Sequence, residues 1–449
     1  MFCRTFQEQE HAIPLFLDIF PPDEYNRHME LYRVKRLPPH SDFTVEVPAS
    51  KSILNRALIL AAFGNGETLL SCGDFAEDTR AMLSCLTTLG IRWREEDGGI
   101  RVFGCGGKIP VRNAELNVRS AGTAARFLTA ALAFLGGDYT MRSSAQMEKR
   151  PMELLSALET SGAVIEYLGE RGHFPFRLHS DGIKAAMLSV DTDLSTQYAS
   201  GILLAAAVSR PTALRLTGSR TDGSYINMTL RLMERFGAAW TREGNIIRVV
   251  PAEHSPESIE IESDLSGACY FYALSLLLSA RVLVRRIHPD TLQGDKKFLA
   301  LLSARGVRFE DTAEGLLADG NSVSAYRGFT ENMDDFSDQA LTVAALAPFA
   351  DTPTRITGIG HIRRQECNRI RAITENLSTL GVPVTEEADG VTIEPAPVHS
   401  GTIRTFGDHR VAMAFSLIGL KTGEISIEDP QCCKKTFENY FDILERLTQ

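Results

Sequence analysis

The sequence lacks three features that would place it in large protein classes at once. It has no run of the roughly twenty apolar residues that a membrane-spanning helix requires. Its eight cysteines include no Cys-x-x-Cys pair and no Cys/His set at zinc-binding spacing, and the vicinal pair Cys432-Cys433 is more typical of reduced thiols than of a disulfide. It also lacks the basic balance of a nucleic-acid-binding protein, since its net charge is -10. We therefore expect a protein of the reducing cytoplasm that binds neither membranes nor nucleic acids.

The sequence does have enough apolar residues for more than one hydrophobic core. Its 449 residues are 44% hydrophobic and 23% charged, which is typical of a globular protein with two domains or more. Residues 1–28 do not fit this pattern, because their apolar stretch contains Pro14 and Asp18 and resembles neither a signal peptide nor a transit peptide. We expect residues 1–28 to be a disordered extension or the result of a misassigned start.

A unit of about seventy residues repeats along the chain. Five segments with the pattern helix, glycine, strand contain Gly90, Gly162, Gly237, Gly306 and Gly381, at intervals of 69 to 75 residues. Each glycine is placed where a helix would end in the left-handed conformation, and a hairpin-like turn follows it. A last helix, at about 437–447, belongs to a sixth copy. The simplest architecture is two domains of three α/β units each, and a single long repeat array is the alternative.

The segment Pro48–Arg56 carries basic side chains where a helix should begin. Ser50 is a good N-cap, and the apolar run that follows predicts a helix from about Lys51. A cation in the first turn opposes the helix dipole unless an anion lies close by. Ser52 and Arg56 are four residues apart, so a helix would place them on one face as a clamp for phosphate. A solvated lysine on a frayed first turn is the alternative interpretation.

Four other segments place polar or basic side chains where a strand should lead into a helix. They are residues 119–126 with Gly122 and Arg126, residues 193–198 with Ser195, Thr196 and Gln197, residues 361–369 with three arginines and Glu366, and residues 407–410 with Arg410. Each segment alone has an ordinary explanation as a helix cap or a solvated surface. Together, in an acidic protein, they predict a binding site for a small molecule with several negative charges.

These motifs resemble, in the same order, the motif series of the EPSP synthase family of enolpyruvyl transferases. The matching segments are 48–56, 120–126, 195–197, 338–342, 365–369, 408–413 and 434–437. The resemblance extends from about Tyr32 to the C-terminus. It implies a two-lobed α/β fold, an inside-out α/β barrel with three βαβαββ units in each lobe. It further implies crossovers near Ala49 and Glu262, so that residues 29–49 and 263–449 form the C-terminal lobe and residues 50–262 the N-terminal lobe.

The resemblance also implies a reaction and its residues. The reaction is transfer of the enolpyruvyl group of phosphoenolpyruvate to the 5-hydroxyl of shikimate 3-phosphate, in the pathway to chorismate and the aromatic amino acids. It implies that Asp338 deprotonates the hydroxyl, that Glu366 exchanges a proton with the methylene carbon, and that Lys51 is a third catalytic residue. Nothing in this chemistry calls for a metal or organic cofactor, and we expect a monomer. The implied substrate-binding residues are Lys51, Gly122, Gln146, Gln365, Arg369, Arg410 and Lys435, and, for shikimate 3-phosphate, Ser52, Arg56, Ser195, Thr196, Gln197 and Tyr225.

Three positions depart from the family pattern, which has arginine at Gln146, lysine at Gln365 and asparagine at His361. Glutamine keeps a hydrogen bond but loses the charge, and a charge-assisted hydrogen bond is about twice as strong as a neutral one. We expect weaker binding of phosphoenolpyruvate unless Arg150, Arg363 or Arg364 compensates, and tighter binding in Gln146→Arg.

The departures leave two other functions open. One is a carboxyvinyltransferase with another acceptor, such as UDP-N-acetylglucosamine, although serine rather than asparagine follows Lys51 and residues 143–150 contain no cysteine. The other is a non-catalytic anion-binding relative.

The charges also predict a conformational change. Two phosphorylated substrates carry roughly six negative charges, counting each phosphate at about -1.5 to -2. The six cations that would balance them are Lys51, Arg56, Arg126, Arg369, Arg410 and Lys435. Because these cations are divided between the lobes, we expect their repulsion to keep the empty protein open and bound substrates to close it.

Overall fold

The structure is a computed structural model, and it describes residues 31–96 and 98–449. The expectation for residues 1–28 lies outside these ranges. Of the helices in the described ranges, none combines the length and the hydrophobicity needed to cross a bilayer.

The strands are short and form six small sheets in the described part of the chain. In chain order they are β1 (Leu31–Arg33), β2 (Asp42–Val45), β3 (Glu67–Ser71), β4 (Trp93–Glu96), β5 (Gly99–Phe103), β6 (Asn113–Asn117), β7 (Gly137–Arg142), β8 (Val164–Tyr167), β9 (Phe176–Ser180), β10 (Met187–Asp191), β11 (Thr212–Thr217), β12 (Ala239–Glu243), β13 (Ile246–Val250), β14 (Ser258–Glu260), β15 (Arg281–Arg285), β16 (Arg308–Asp311), β17 (Gly315–Asp319), β18 (Thr330–Asn332), β19 (Thr354–Thr357), β20 (Val384–Glu387), β21 (Gly390–Ile393), β22 (Gly401–Ile403) and β23 (Ile425–Glu428).

The helices alternate with these strands along the chain. In chain order they are α1 (Lys51–Phe63), α2 (Glu77–Thr88), α3 (Gly122–Leu135), α4 (Ala145–Glu148), α5 (Leu154–Glu159), α6 (Gln197–Ala207), α7 (Ser224–Arg235), α8 (Leu265–Leu277), α9 (Lys296–Ser303), α10 (Ala340–Leu346), α11 (Arg369–Thr379), α12 (His409–Thr422) and α13 (Tyr440–Leu447). Short 3-10 helices are formed by Asp334–Gln339, Ala347–Phe349, Gly360–Arg364 and Pro430–Lys435.

Five of the six sheets have four strands and share one arrangement, in which one parallel pair of strands is followed by two antiparallel pairs. In the sheet ordered β6-β7-β9-β8, β6 and β7 are parallel and are joined through α3, whereas β8 and β9 form an antiparallel hairpin. The sheet β10-β11-β13-β12 repeats this arrangement through α6 and α7. The five repeated glycines all have positive φ, between 77° and 109°. The predicted α/β units with left-handed glycines at the helix ends are therefore confirmed.

Strands from distant parts of the chain complete two of these sheets. β2 pairs with β15, and β14 returns to pair with β3 of the first unit. Between these strands the chain crosses twice, and Ala49 and Ser263 form an isolated antiparallel bridge where it does so. The polar loop 251–256 comes before this crossing, because β14 follows it and still belongs to the sheet of β3.

The buried apolar side chains form two separate clusters. One cluster draws its members from Ala49–Ile261, and the other from Val34–Val47 together with Leu265–Leu444. We call the two bodies around these clusters the N-terminal lobe and the C-terminal lobe. The last sheet, β1-β23-β22, belongs to the C-terminal lobe and receives β1 from the start of the described chain.

Each repeat contributes one helix that lies inside its lobe. These inner helices are α1, α3 and α6 in the N-terminal lobe and α8, α10 and α12 in the C-terminal lobe, and nearly all of their residues are buried. A helix that is apolar on all sides is stable only when it is surrounded by protein, which explains their richness in alanine and leucine. The following helices, such as α7 and α11, bury one face only. The N-terminal ends of the inner helices are thereby positioned to build a site between the lobes.

Candidate active site

A cleft of about 890 Å³, partly open to solvent, lies between the two lobes. The ends of five inner helices contribute to its lining: Lys51 and Ser52 of α1, Gly122 and Thr123 of α3, Ser195 to Gln197 at α6, Asp338 just before α10, and His409 and Arg410 of α12. Helix N-termini carry unpaired N–H groups and partial positive charge. The cleft is therefore suited to anionic ligands.

On the N-terminal side, Arg56 is a buried cation with neutral partners. Its guanidinium donates to Thr229 Oγ1 (2.8 Å), to Ser200 Oγ (3.2 Å) and to the Ser52 carbonyl oxygen (2.6 Å). Its Cζ lies 5.0 Å from the centroid of the Phe127 ring. Burial lowers the pKa of Arg56 to about 10, because this environment stabilises the charge poorly. An anion bound above Ser52 would supply the missing counter-charge.

Lys51 begins α1 as the sequence predicted, but the structure gives it a partner within the protein. Its Nζ lies 3.1 Å from Asp78 Oδ2 of α2. Ser50 occupies the N-cap position without capping the helix, since its hydroxyl donates to Gln293 Oε1 (3.0 Å) instead. The amides of the first turn of α1 consequently donate no hydrogen bond to a capping side chain.

On the C-terminal side, Arg369 lies at the centre of three carboxylates. Its Nε donates to Asp408 Oδ2 (2.8 Å), its Nη1 to Asp338 Oδ1 (2.9 Å) and its Nη2 to Glu366 Oε2 (2.9 Å). Its Nη1 also contacts Gln365 Oε1. Burial alone would lower the pKa of Arg369, but the three carboxylates outweigh it and raise that pKa well above its ordinary value. The guanidinium therefore fixes the relative positions of all three acids.

Asp338 accepts hydrogen bonds from both lobes. Arg410 Nη2 and Tyr225 Oη each lie 2.9 Å from Asp338 Oδ2. Burial would raise the pKa of Asp338, but the charges of Arg410 and Arg369 hold it below its ordinary value. Asp338 is therefore an ionised carboxylate whose orientation is fixed by partners on two sides.

Glu366 is the second buried acid that faces the cleft. Lys435 Nζ lies 3.2 Å and Arg150 Nη1 3.8 Å from Glu366 Oε1. Burial would raise the pKa of Glu366, but Lys435, Arg369 and Arg150 lower it well below its ordinary value. Glu366 is therefore ionised. An anion that binds to the same cations would weaken their effect on Glu366 and raise its pKa, which makes it a stronger base.

The structure brings nearly all of the predicted site residues together. Those that line the cleft are Lys51, Ser52, Gly122, Ser195, Thr196, Gln197, Tyr225, Asp338, Gln365, Glu366, Arg369 and Arg410. Arg56 lies one layer below, bonded to Ser52, and Lys435 reaches the cleft through Glu366.

Gln146 is the exception. It lies on α4, whose only buried residue is Met147, and it is not among the residues that line the cleft. Arg150, after the end of this short helix, lines the cleft and faces Glu366. The role of Gln146 as a substrate contact stays a prediction, and Arg150 is the residue of this segment that brings a cation to the cleft.

Several residues of the cleft were missed by sequence reasoning. Arg220 lines it and pairs across the lobes with Asp334 (Nε to Oδ1, 3.2 Å). His361 lies within hydrogen-bond distance of Ser337 Oγ (Nε2 to Oγ, 2.9 Å). His409 is buried, and burial followed by the charges of Arg410 and Lys435 holds its pKa well below the ordinary value, so its imidazole is neutral. His361 and His409 lie in segments that the sequence analysis had selected, but it gave neither histidine a role in the site. Arg220 lies in none of those segments.

The predicted repulsion between the lobes is not found. The three cations of the C-terminal side, Arg369, Arg410 and Lys435, face three carboxylates, so this half of the cleft carries little net charge. The lobes are also in contact, since Ser224 Oγ donates to the Asp335 carbonyl oxygen (3.0 Å) and Tyr225 reaches Asp338. Counting cations without their partners had overstated the charge.

Comparison with known proteins agrees with this geometry. The family model for EPSP synthase (3-phosphoshikimate 1-carboxyvinyltransferase) matches residues 40–444. The chain belongs to the EPSP synthase family. A 3-phosphoshikimate 1-carboxyvinyltransferase of Nostoc punctiforme is 36% identical over 406 residues, which are 89% of this chain and 95% of that protein. One of Bordetella petrii is 38% identical over 416 residues, or 89% and 93% of the two chains.

Solved structures of the EPSP synthase fold resemble the whole described molecule. An EPSP synthase from Acinetobacter baumannii superimposes with a TM-score of 0.77 at 24% identity, covering 93% of this chain and 98% of that one. The enolpyruvyl transferase NikO from Streptomyces tendae gives a TM-score of 0.68 at 16% identity, covering 92% and 96%. At these identities the likeness bears on the fold, and it confirms the predicted two-lobed α/β architecture.

Proposed function

We propose that this protein transfers the enolpyruvyl group of phosphoenolpyruvate to the 5-hydroxyl of shikimate 3-phosphate and releases phosphate. The observation that carries the proposal is the pairing of two ionised acids, Asp338 and Glu366, on one guanidinium at the meeting point of five helix N-termini. The names of the relatives support the same reaction. We also propose a cytoplasmic monomer whose lobes are divided at 49/50 and 262/263, as the strand pairing of β2 and β14 suggests.

The two substrates would divide the cleft between them. Shikimate 3-phosphate would lie against the N-terminal lobe, on Ser52, Ser195, Thr196 and Gln197, with Arg56 beneath and Tyr225 beside it. Arg220, which also lines the cleft and pairs with Asp334, would add a cation near the phosphate of this substrate. Phosphoenolpyruvate would lie on the three cations around Glu366, namely Arg150, Arg369 and Lys435. Lys51, Arg410 and the backbone at Gly122 would complete its site.

The first step would be addition across the double bond of phosphoenolpyruvate. Asp338 takes the proton of the 5-hydroxyl as its oxygen forms a bond to C2, and a protonated Glu366 delivers a proton to C3. Bound phosphoenolpyruvate supports this protonation state, because its charges compete with Glu366 for Lys435 and Arg369 and so raise the pKa of Glu366 from its depressed value.

The second step would reverse the proton transfer at carbon. Glu366 removes a proton from C3, the electrons of that C–H bond form the new double bond, and the C2–O bond to phosphate breaks with its electron pair on the phosphate oxygen. The proton that Asp338 took from the hydroxyl leaves with the phosphate, so Asp338 returns to its ionised form. The cations around the phosphate stabilise the charge that develops there. No step in this sequence requires a redox change.

The test is an assay of phosphate release with phosphoenolpyruvate and each of two acceptors. We expect turnover with shikimate 3-phosphate and the enolpyruvyl ether as product by NMR. Turnover with UDP-N-acetylglucosamine alone would identify a transferase with another acceptor. Binding of both substrates without product would identify a non-catalytic relative, and either result would overturn the proposal.

A further inference from the structure

A second cavity of about 1000 Å³ opens beside the cleft, and we call it the lateral cavity. It shares six lining residues with the cleft, namely Arg150, Leu194, Ser195, Gln197, His361 and Gln365. It is lined in addition by Arg126 of the N-terminal lobe and by Arg363 and Arg364 of the C-terminal lobe. Four guanidiniums therefore line the lateral cavity, and three of them, Arg126, Arg363 and Arg364, have no part in the proposed reaction.

Arg126 is the buried member of this group, with an exposed fraction of 3%. Its Nη1 donates to the Gly122 carbonyl oxygen (3.1 Å) and its Nη2 to that of Pro151 (3.4 Å), while its Nε has no hydrogen-bond partner in the described residues. Burial, and then the charge of Arg150, lower the pKa of Arg126 to about 10. A buried cation with no carboxylate beside it is costly, and an anion in the cavity would offset that cost.

The two arginines of the C-terminal lobe differ sharply. Arg363 is already neutralised, because its guanidinium donates to Glu386 Oε1 (2.6 Å) and to the Glu387 carbonyl oxygen (2.7 Å). Arg364 is exposed, and within the described residues it forms no ion pair and no hydrogen bond. A carboxylate, Asp193, also lines the cavity, but its Oδ1 accepts from the Ser219 amide (2.6 Å) and hydroxyl (2.8 Å). Those hydrogen bonds leave Asp193 ionised, and Arg150 is paired with Glu366 (3.8 Å). The cavity therefore keeps a small surplus of positive charge, because Arg126 and Arg364 outweigh the single charge of Asp193.

We propose that the lateral cavity is a binding site for inorganic phosphate, held between Arg126 and Arg364. The proposal rests on the proposed function, in which phosphate is the leaving group. Arg150 lines both spaces, so phosphate released beside it can pass into the lateral cavity without leaving cationic surroundings. A phosphate bound there occupies a different place from phosphoenolpyruvate, and both can be present at once.

The test measures inhibition by inorganic phosphate with phosphoenolpyruvate as the varied substrate. Phosphate in the cleft competes with phosphoenolpyruvate and changes the slope of the double-reciprocal plot, whereas phosphate in the lateral cavity changes its intercept. We expect both effects in the unmodified protein. Arg364→Gln should raise the inhibition constant of the intercept effect about tenfold, as expected for loss of one charged hydrogen bond, and change that of the slope effect less than about twofold.

Arg363→Gln is the matched control, because it removes a neighbouring guanidinium of the same cavity that already has a carboxylate partner. We expect it to change neither inhibition constant. Purely competitive inhibition in the unmodified protein, or equal behaviour of the two variants, would overturn the proposal.

A direct measurement separates failure of this proposal from failure of the proposed function. Calorimetric titration with inorganic phosphate, in the presence of saturating shikimate 3-phosphate, requires no turnover. Weaker phosphate binding in Arg364→Gln than in Arg363→Gln supports the cavity even if the assay shows no product. Equal binding in a protein that does form the enolpyruvyl ether overturns the cavity and leaves the function in place.

Discussion

The two halves of the cleft are built from the same repeated unit, but they differ in whether their buried cations have carboxylate partners. In the N-terminal lobe the N-cap side chains of the three inner helices accept no hydrogen bond from the helix amides, although Ser195 Oγ accepts from the Gln197 amide (3.2 Å). The buried Arg56 and Arg126 have neutral partners. In the C-terminal lobe Asp264 and Asp408 cap α8 and α12, and Arg369 and Arg410 contact carboxylates. One half lacks counter-charge, and the other supplies its own.

This difference indicates a division of labour. Unpaired cations and uncapped helix ends bind an anion with little competition from the protein, so the N-terminal lobe is suited to hold a phosphorylated substrate. Carboxylates fixed by arginines are suited to move protons, because their positions and charges are set before the substrate arrives. Changes on the two sides should therefore affect different measurable quantities.

The largest expected effect separates turnover from affinity. We expect Asp338→Asn or Glu366→Gln to lower kcat by about 10²- to 10⁴-fold, the usual range for loss of a general acid or base, with a much smaller change in KM. Steady-state kinetics with both substrates varied would measure the two parameters. The matching change in the other half, Arg56→Gln, should chiefly raise KM for shikimate 3-phosphate. Unchanged kcat in either acid variant would remove that residue from its role.

A second prediction compares the stability of the two halves. Arg369→Met leaves three buried carboxylates without their shared partner, and breaking a buried ion pair costs about 3–5 kcal/mol. Arg56→Met removes a cation without a carboxylate partner, and Thr229 and Ser200 remain hydrogen-bonded to each other (2.9 Å). We therefore expect Arg56→Met to change the free energy of unfolding by less than about 1 kcal/mol. Urea titration of both variants would measure the difference, and equal losses would contradict the comparison.

A third prediction concerns a carboxyl of the C-terminal lobe that has no cationic partner. Asp295 is buried behind Asp338 and accepts a hydrogen bond from Ser266 Oγ. Burial, and then the charge of Asp338, raise the pKa of Asp295 to about 7. The folded protein therefore retains this proton where the unfolded chain, with a pKa near 3.9, has lost it. The stability linked to the proton is fully present below about pH 4 and is lost as the pH rises through about 7.

Asp295→Asn removes this dependence. The free energy of unfolding of the variant, measured relative to the unmodified protein, should rise from pH 5 to pH 7 and level off above pH 7. Urea titrations at four pH values would show the trend, with Asp290→Asn as an exposed control. A difference that does not vary with pH would contradict the prediction.

Much of the fold could be predicted from the sequence, because its determinants are local. A few neighbouring residues are enough to predict a glycine at the end of a helix, such as Gly90, or the start of a helix, such as Lys51. The regular spacing of the glycines then reveals the repeat. The carboxylate partners are not local. Asp408 meets Arg369 across 39 residues, and Asp78 meets Lys51 through the packing of α2 on α1. Counting charges along the chain could therefore find the cations but not show which of them are neutralised.

The smallest expected effect tests Gln146, a predicted substrate contact that does not line the cleft. Gln146 lies on the short helix α4, and Arg150 follows four residues later, beyond the end of that helix. Of these two side chains, only that of Arg150 lines the cleft. We expect Gln146→Arg to change KM for phosphoenolpyruvate less than about twofold, since the new charge stays outside the cleft. Arg150→Gln should raise it about tenfold or more, because it removes a charged hydrogen bond to the substrate. A clear gain in affinity in Gln146→Arg would mean that α4 turns toward the substrate when the lobes bind it.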